Sequence, residues 1–278
     1  MAEQAFRKTL LNTVNRYRHR GVYDYETVHD IIDKTPILHI SFSPSASGGG
    51  NGNENENEYE NDTQSWYPVI LPMLGCTGDF DNRDNAASSG APRDIYLHGY
   101  VSSRLMRLAS THAADVSDQG MPVCVAATLL DGLVLALTPN HHSCNYRSVV
   151  AYGRAHVVTD EAERQWAMEL IMDNMVPGRW AATRPPSRVE QRRTGILRVQ
   201  VVSASAKVRV GTTGEERADL RDEAMRRRVW AGVVPAHLVW GEPVAAPTNL
   251  MEPTPRYIEE WRKRETLEAQ EYARAVAK

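Results

Sequence analysis

Residues 93–158 read Arg93-Asp-Ile-Tyr-Leu-His-Gly-Tyr100, Val101-Ser-Ser-Arg-Leu-Met-Arg-Leu108, an apolar run from Pro122 to Leu130, Asp131-Gly132, a second apolar run from Leu133 to Leu137, Thr138-Pro-Asn-His-His-Ser-Cys-Asn-Tyr-Arg-Ser148, and a strand-like run from Val149 to Val158. This stretch combines the densest β pattern of the chain with the polar groups best suited to hold a ligand. Two apolar runs of strand length joined by Asp-Gly predict a tight hairpin, with Gly132 taking the positive φ that such a turn demands. Neither run alternates cleanly. Both faces should therefore be covered, as in a barrel wall with a filled interior and an outer partner.

Ahead of the expected hairpin, Ile95 to Tyr100 reads as a strand and Ser102-Ser103-Arg104 opens a short helix. A strand that turns into a helix at two hydroxyls and a guanidinium supplies backbone N–H groups, the positive end of a dipole and a charge-assisted fork, which together suit an anion. An ordinary capping serine with solvent-facing arginines accounts for the same residues. After the hairpin, His141 to Ser148 offers donors, acceptors, an aromatic face and a second arginine.

Several blocks, in this order, resemble the flavin-nucleotide-binding split-barrel family, the pyridoxamine 5′-phosphate oxidase-like superfamily, on the branch nearest the nitroimidazole reductases. They are Tyr96-Leu-His98-Gly-Tyr100-Val-Ser102-Ser103-Arg104-Leu-Met, Asp131-Gly-Leu-Val-Leu-Ala, His141 to Val150 with Gly153, Ala204-Ser-Ala-Lys207-Val-Arg209, and Val229-Trp230-Ala-Gly232-Val-Val-Pro235. The resemblance runs from about Tyr17 to Pro243. It implies a mainly β fold with added helices: a six-stranded antiparallel split β-barrel that forms a homodimer and binds FMN in a groove between subunits. Ser102, Ser103 and Arg104 match the phosphate-binding segment. Arg147 and Ser148 open the strand beside it, with Asn145 and Tyr146 just ahead of them, and Lys207 lies in a segment that approaches the cofactor. Trp230 would supply an aromatic wall across the subunit interface, although a core tryptophan would read the same way. A histidine at the place of His98 faces the flavin in the nitroimidazole reductase branch, so His98 is the candidate catalytic residue, with Tyr100 or Asn145 as secondary polar contacts. A hydrogen-bonded histidine inside a barrel is the plainer account of it.

The chain of 278 residues, 42% of them hydrophobic, can bury one substantial core with appended helices. A net charge of −3 gives no pull toward nucleic acid or membrane, and no apolar run reaches the span of a bilayer. The first residues lack the apolar core of a signal peptide, and Cys76, Cys124 and Cys144 show no ligand or disulfide spacing, so a cytoplasmic protein is expected. Residues 1–34 read as helices packing on the barrel, the first from Glu3 to Arg18 with Phe6, Leu10, Val14 and Tyr17 at helical spacing, the second capped by Asp24. The barrel domain is expected over 35–243, with polar, unstructured insertions near 43–65 and 78–92. Asp160 caps a helix with Trp166, Leu170, Ile171 and Met175 on one face, and an extended connection follows it to a strand over 196–202. A short charged helix over 215–228 and a last strand over 229–240 precede the tail, 244–278, which ends in a helix.

No metal site is expected: His141 and His142 are adjacent in an extended stretch and point apart, and no carboxylate or cysteine partner has ligand spacing. Walker, G-x-S-x-G and dinucleotide-loop patterns are absent from the sequence, which weakens hydrolase and nucleoside-triphosphatase readings; the resemblance implies flavin chemistry on a small organic substrate, with NADH or NADPH as electron donor. Two alternatives stand beside it. One is a haem-binding split barrel with His141, His142 or His98 as axial ligand; the other is a flavin-binding or interaction protein without turnover.

Overall fold

The computed structural model describes residues 4–43, 67–83, 92–114 (112–114 by their backbone only) and 119–278. In chain order the elements are β1 (Gly21–Val22), α1 (Tyr25–Lys34), β2 (Leu38–Phe42), β3 (Val69–Gly78), β4 (Asp94–Tyr100), α2 (Arg104–Ala114), β5 (Met121–Leu135), β6 (Ser143–Val157), α3 (Glu161–Met175), α4 (Arg188–Arg193), β7 (Thr194–Arg209), α5 (Arg217–Arg221), α6 (Glu223–Arg228), β8 (Gly232–Pro235) and α7 (Arg256–Ala275). The sheet runs β1-β7-β4-β3-β2-β5-β6, and β6 returns to β7. Six strands thus close an antiparallel barrel, with β1 added on β7 and β8 on β5. Closure removes the sheet edges that would otherwise recruit other strands.

Side-chain alternation sets the inside of the barrel. On β2, Leu38, Ile40 and Phe42 are buried while His39 is exposed, and the strand pairs with β3 from Leu38↔Met73 to Phe42↔Val69. On β4, Ile95 and Leu97 are fully buried on one face. Tyr96 points to the other, where α3 covers it: Cys76, Tyr96, Val158, Ala167, Ile171 and Ile196 form a core cluster with Trp166 and Leu170 against it. The Tyr96 and Trp166 rings meet edge to face at 5.2 Å. Full burial of each such side chain contributes about 1.5–3 kcal/mol. Close approach of α3 needs a bare backbone at Gly78, where a Cβ would lie 2.5 Å from Leu170 and 2.8 Å from Trp166.

The expected hairpin at Asp131-Gly132 does not exist. β5 continues unbroken through both residues, because β8 pairs there (Gly132↔Pro235, Leu133↔Val234), and the chain reverses instead in a 3-10 turn at Pro139–His141. Gly132 has no positive φ; it is small because a Cβ would meet the Val234 carbonyl oxygen at 2.9 Å. Strand pairing over β8 thus overrides a local turn signal.

The expected helix over 3–18 is also absent among the described residues. Asn12 supplies the reason: its buried amide donates to the Arg7 carbonyl at 3.0 Å and accepts from the Thr9 N–H at 2.7 Å, satisfying backbone groups that a helix would have paired, and it ties the segment to β7 by donating to the Ala204 carbonyl at 3.0 Å. Phe6 alone of the four apolar positions is buried, its ring 4.7 Å from that of Tyr25, whereas Leu10 is fully exposed and Tyr17 adopts a left-handed φ of 57°. The second helix is present as α1, and Asp24 caps it by accepting from Thr27 N at 2.7 Å. Between α3 and β7 the expected extended connection contains α4. β7 extends over Thr194–Arg209, longer than expected, while β8 holds only four residues. The two expected insertions fall largely on 44–66 and 84–91, outside the described residues.

Two compact units divide the chain: residues 1–127, 149–175 and 179–206 make the first, and 128–148, 176–178 and 207–278 the second. In the second unit the expected C-terminal helix is present as α7. Its Trp261 lies 4.8 Å from Trp240, and its Arg262, nearly buried, pairs with Glu259 at 2.7 Å and also with Glu242.

Candidate functional site

In the first unit β4 turns into α2 over Tyr100 to Arg104. The Ser103 N–H donates to the Tyr100 carbonyl at 2.9 Å, and the Ser103 hydroxyl accepts from Met106 N at 3.3 Å, so Ser103 is the N-cap. Leu105, Met106 and Ala109 are buried and anchor the helix. Met106 lies over Gly99 and Gly195, where a Cβ would stand 3.1 Å from its methyl carbon. Ser102, Arg104 and Arg107 are exposed at the start of the helix. Val101 N donates to the Arg193 carbonyl at 3.2 Å, which brings the end of α4, with exposed Arg192 and Arg193, beside this turn. None of these four guanidinium groups has an ion pair or hydrogen bond among the described residues. N–H groups at the start of a helix, a hydroxyl and cations are the groups that suit an anion.

His98 lies two residues before this turn, opposite Leu74 and Ile196, and by alternation shares the face of Tyr96. It is half-buried, has no hydrogen-bond partner among the described residues, and burial lowers its pKa, so the ring is neutral at neutral pH. Tyr100 is exposed. Further along the face, the Tyr96 hydroxyl donates to Glu163 Oε1 at 2.7 Å, and Arg198 bonds Asp94 Oδ2 at 2.5 Å and Glu163 Oε1 at 3.3 Å. This network ties α3 to β4 and β7. Burial pushes the Asp94 carboxyl and the Tyr96 hydroxyl up.

The other candidates from the sequence lie in the second unit. Asn145 is completely buried; its amide donates to the carbonyls of Gly211 (3.0 Å) and Val276 (3.1 Å), and its oxygen accepts from Arg209. Arg147 makes a forked pair with buried Asp131 (2.7 and 3.1 Å) and stacks over Tyr272 at 3.9 Å. Ser148 donates to the Lys207 carbonyl at 3.2 Å. Tyr146 and Lys207 are half-exposed, and Trp230 is largely exposed with its ring against Gly232. Ser102, Ser103, Arg104, His98 and Tyr100 are thus brought together in one unit, and Asn145, Arg147, Ser148 and Lys207 in the other. Among the described residues no cluster of three or more histidines, cysteines or carboxylates could hold a metal ion.

Sequence reasoning missed Arg192 and Arg193, which α4 carries to the Ser102 turn. The signal was present: Ser187-Arg-Val-Glu190 is a capping box, and both of its reciprocal bonds form. It also missed Asp131 as the partner of Arg147, because the Asp-Gly pair was read as a turn.

The closed six-stranded antiparallel barrel with its added strands and helices matches the flavin-binding split-barrel fold. The profile of the family described as pyridoxamine 5′-phosphate oxidase matches residues 62–208, and the chain belongs to that family. Among solved structures, the flavocytochrome Anf3 from Azotobacter vinelandii is similar at 27% identity, with a TM-score of 0.68, over 91% of this chain and 96% of that one. The FAD and heme binding protein from Mycobacterium smegmatis has the same fold, at 23% identity and a TM-score of 0.63, over 87% of this chain and 96% of that one. A structure from Bacteroides thetaiotaomicron provisionally assigned to 5-nitroimidazole antibiotic resistance is far less similar, at 15% identity and a TM-score of 0.45, over 68% of this chain and 86% of that one. Among curated proteins, none matches the chain in sequence. No helix among the described residues is long and apolar enough to cross a membrane.

Proposed function

We propose that this protein binds a flavin nucleotide through its FMN moiety and uses it as an oxidoreductase on a small organic substrate. The observation that carries the reading is the β4–α2 turn, where a capped helix start and the unpaired Arg104 stand on the barrel of this family. The FMN phosphate carries about −1.5 to −2 charges at neutral pH, by analogy with other phosphate monoesters. The N–H groups of α2, the Ser102 hydroxyl and Arg104 would hold it. Ser103 already accepts a bond from Met106 N, and its hydroxyl proton is still available to a phosphate oxygen.

Bound flavin supplies the hydride and electron chemistry; the chain supplies position and polarity. His98, neutral and half-buried, orients the substrate by a hydrogen bond from a ring nitrogen, with Tyr100 as a second polar contact. NADH or NADPH is the proposed electron donor. Tyr146, Lys207 and Trp230 are proposed as further flavin contacts in a homodimer. Asn145, Arg147 and Ser148 are engaged within their own unit, and the proposal for them is to hold it in shape.

Arg104→Ala should lower flavin affinity about tenfold or more, as expected for a lost charge-assisted contact. His98→Ala should retain flavin and lose most turnover. Titration of the apoprotein with FMN, followed by steady-state reduction assays, measures both, and an Arg104→Ala variant with unchanged affinity would remove the phosphate site.

Haem as an additional group is a second reading, favoured by the near-full-length likeness to a flavocytochrome. The donor set narrows the ligand. His142 Nδ1 accepts from Ala136 N at 3.0 Å, which leaves the proton on Nε2 and makes that ring a poor axial ligand. His141 fits better, because its Nδ1 has no hydrogen-bond partner among the described residues while its Nε2 faces Glu216 at 3.6 Å.

A further inference from the structure

Near its start the chain concentrates positive charge that the net charge of −3 conceals. Residues 4–20 hold Arg7, Lys8, Arg16, Arg18 and Arg20 and no aspartate or glutamate. Among the described residues none of these cations makes an ion pair, and all but Arg20 are exposed. Asp24, the next carboxylate along the chain, is taken up as the cap of α1. Contacts gather the cations onto one surface of the first unit. Lys8 Nζ lies 4.7 Å over the Tyr23 ring, and the Tyr23 hydroxyl accepts from Val14 N at 2.9 Å. Val14 packs against Gly21, where a Cβ would stand 3.0 Å from it, at the end of the 3-10 turn Arg18–Arg20. The guanidinium groups of Arg16 and Arg20 lie over the Tyr17 ring at 5.2 and 4.2 Å.

Between the two groups of cations the chain makes a tight turn. Thr13 N donates to the Thr9 carbonyl at 3.1 Å, and Asn12 Oδ1 accepts from Thr9 N (2.7 Å) and from the Thr9 hydroxyl (3.2 Å). The bond from the buried Asn12 amide to the Ala204 carbonyl fastens this turn to the barrel wall. Leu10 and Leu11 stand at its tip, the first fully exposed and the second more than half exposed. Single exposed leucines are ordinary on protein surfaces. Here two adjacent ones are pinned outward by a hydrogen-bonded turn, flanked by cations that no carboxylate neutralises.

An apolar tip among unneutralised cations suits the boundary layer of an anionic bilayer, where leucines reach the acyl edge and cations meet the headgroups. A nucleic acid would engage the cations and Tyr17 but leave both leucines in water. The flavin turn does not account for the surface either. Ala204 lies about ten residues, roughly 33 Å of strand, along β7 from Thr194, which pairs with Tyr100.

We propose that the Thr9–Asn12 turn and the cations beside it form a peripheral docking surface for an anionic lipid membrane. Leu10 and Leu11 enter the headgroup layer while the barrel stays outside it. The surface is independent of the flavin reading.

The test is co-sedimentation of the full-length protein with vesicles of phosphatidylcholine alone and of phosphatidylcholine with about one third phosphatidylserine, at about 0.1 M salt. Partition onto the phosphatidylserine vesicles should be about tenfold or more stronger than onto phosphatidylcholine. Leu10→Ser/Leu11→Ser should weaken it at least about tenfold, as loss of several buried methyl and methylene groups implies. Arg7→Gln/Arg18→Gln should weaken it about twentyfold, from about fivefold for each cation near the surface. These four side chains are exposed, so the urea midpoint and any bound flavin should stay as in wild type, which separates a lost surface from a lost fold. Wild-type protein that does not partition onto the phosphatidylserine vesicles, or partition that either double variant leaves unchanged, overturns the proposal. Protein that binds polyuridylate but not these vesicles overturns it in favour of a nucleic-acid surface. Each of those results leaves the flavin reading standing.

Discussion

His29, buried on α1, receives the Arg93 N–H at Nε2 (3.1 Å), with the Arg93 Nε 3.2 Å from Nδ1. Its pKa is pushed down to about 4, first by burial and then by the Arg93 guanidinium. A depressed histidine pKa means that the unfolded chain takes up a proton that the native state refuses, so stability should fall as pH drops from about 6.5 toward 4. The contribution is at most about 3 kcal/mol. Burial raises Asp33 and Asp94, whose effect runs the other way, so the comparison of wild type with His29→Asn in urea unfolding at pH 7 and pH 4.5 isolates it. Equal pH dependence in both proteins would refute the assignment. His98 is likewise lowered, so turnover should show no inflection at 6.5 but one at lower pH that His98→Ala abolishes. At this scale residue type was legible and partner was not. Arg147 and Asn145 looked like ligand groups, yet Asp131, Tyr272 and the Val276 carbonyl, which only the fold brings near, engage them.

The element scale separates local signals that the fold keeps from those it overrides. The Asp24 cap of α1, the alternation of β2 and the core-facing Trp166, Leu170 and Ile171 of α3 were readable, because their determinants lie within one or two turns or one strand, whereas Met175, read on the same face, is exposed. Asp131-Gly132 was misread because β8, a hundred residues away in sequence, pairs across it. Gly132→Val should therefore act through sheet pairing rather than turn geometry. Its side chain would collide with the Val234 carbonyl, at a cost of about 1–3 kcal/mol, and hydrogen exchange should rise on β8. Unchanged protection on β8 would restore the turn reading. Ser187→Ala removes the cap of α4 and should cost about 1 kcal/mol.

For the molecule as a whole, the family blocks made the barrel legible, but the division into two units was not. The sequence reading set 244–278 apart as a tail, whereas α7 belongs to one unit with 128–148 and 207–243. Val276 accepts from Gly211 N at 2.7 Å and from Asn145 Nδ2, so truncation after Glu271 should remove an acceptor from the half-exposed Gly211 N–H and from one N–H of the buried Asn145 amide, and lower the urea midpoint. The proposed function requires a flavin nucleotide at the β4–α2 turn. Mass spectrometry of small molecules released from the purified full-length protein, alongside its absorption spectrum, tests this most directly. A stoichiometric flavin nucleotide is expected, with or without a haem Soret band, and it should be largely lost in Arg104→Ala; protein that carries no flavin and takes up none on reconstitution would refute the proposal.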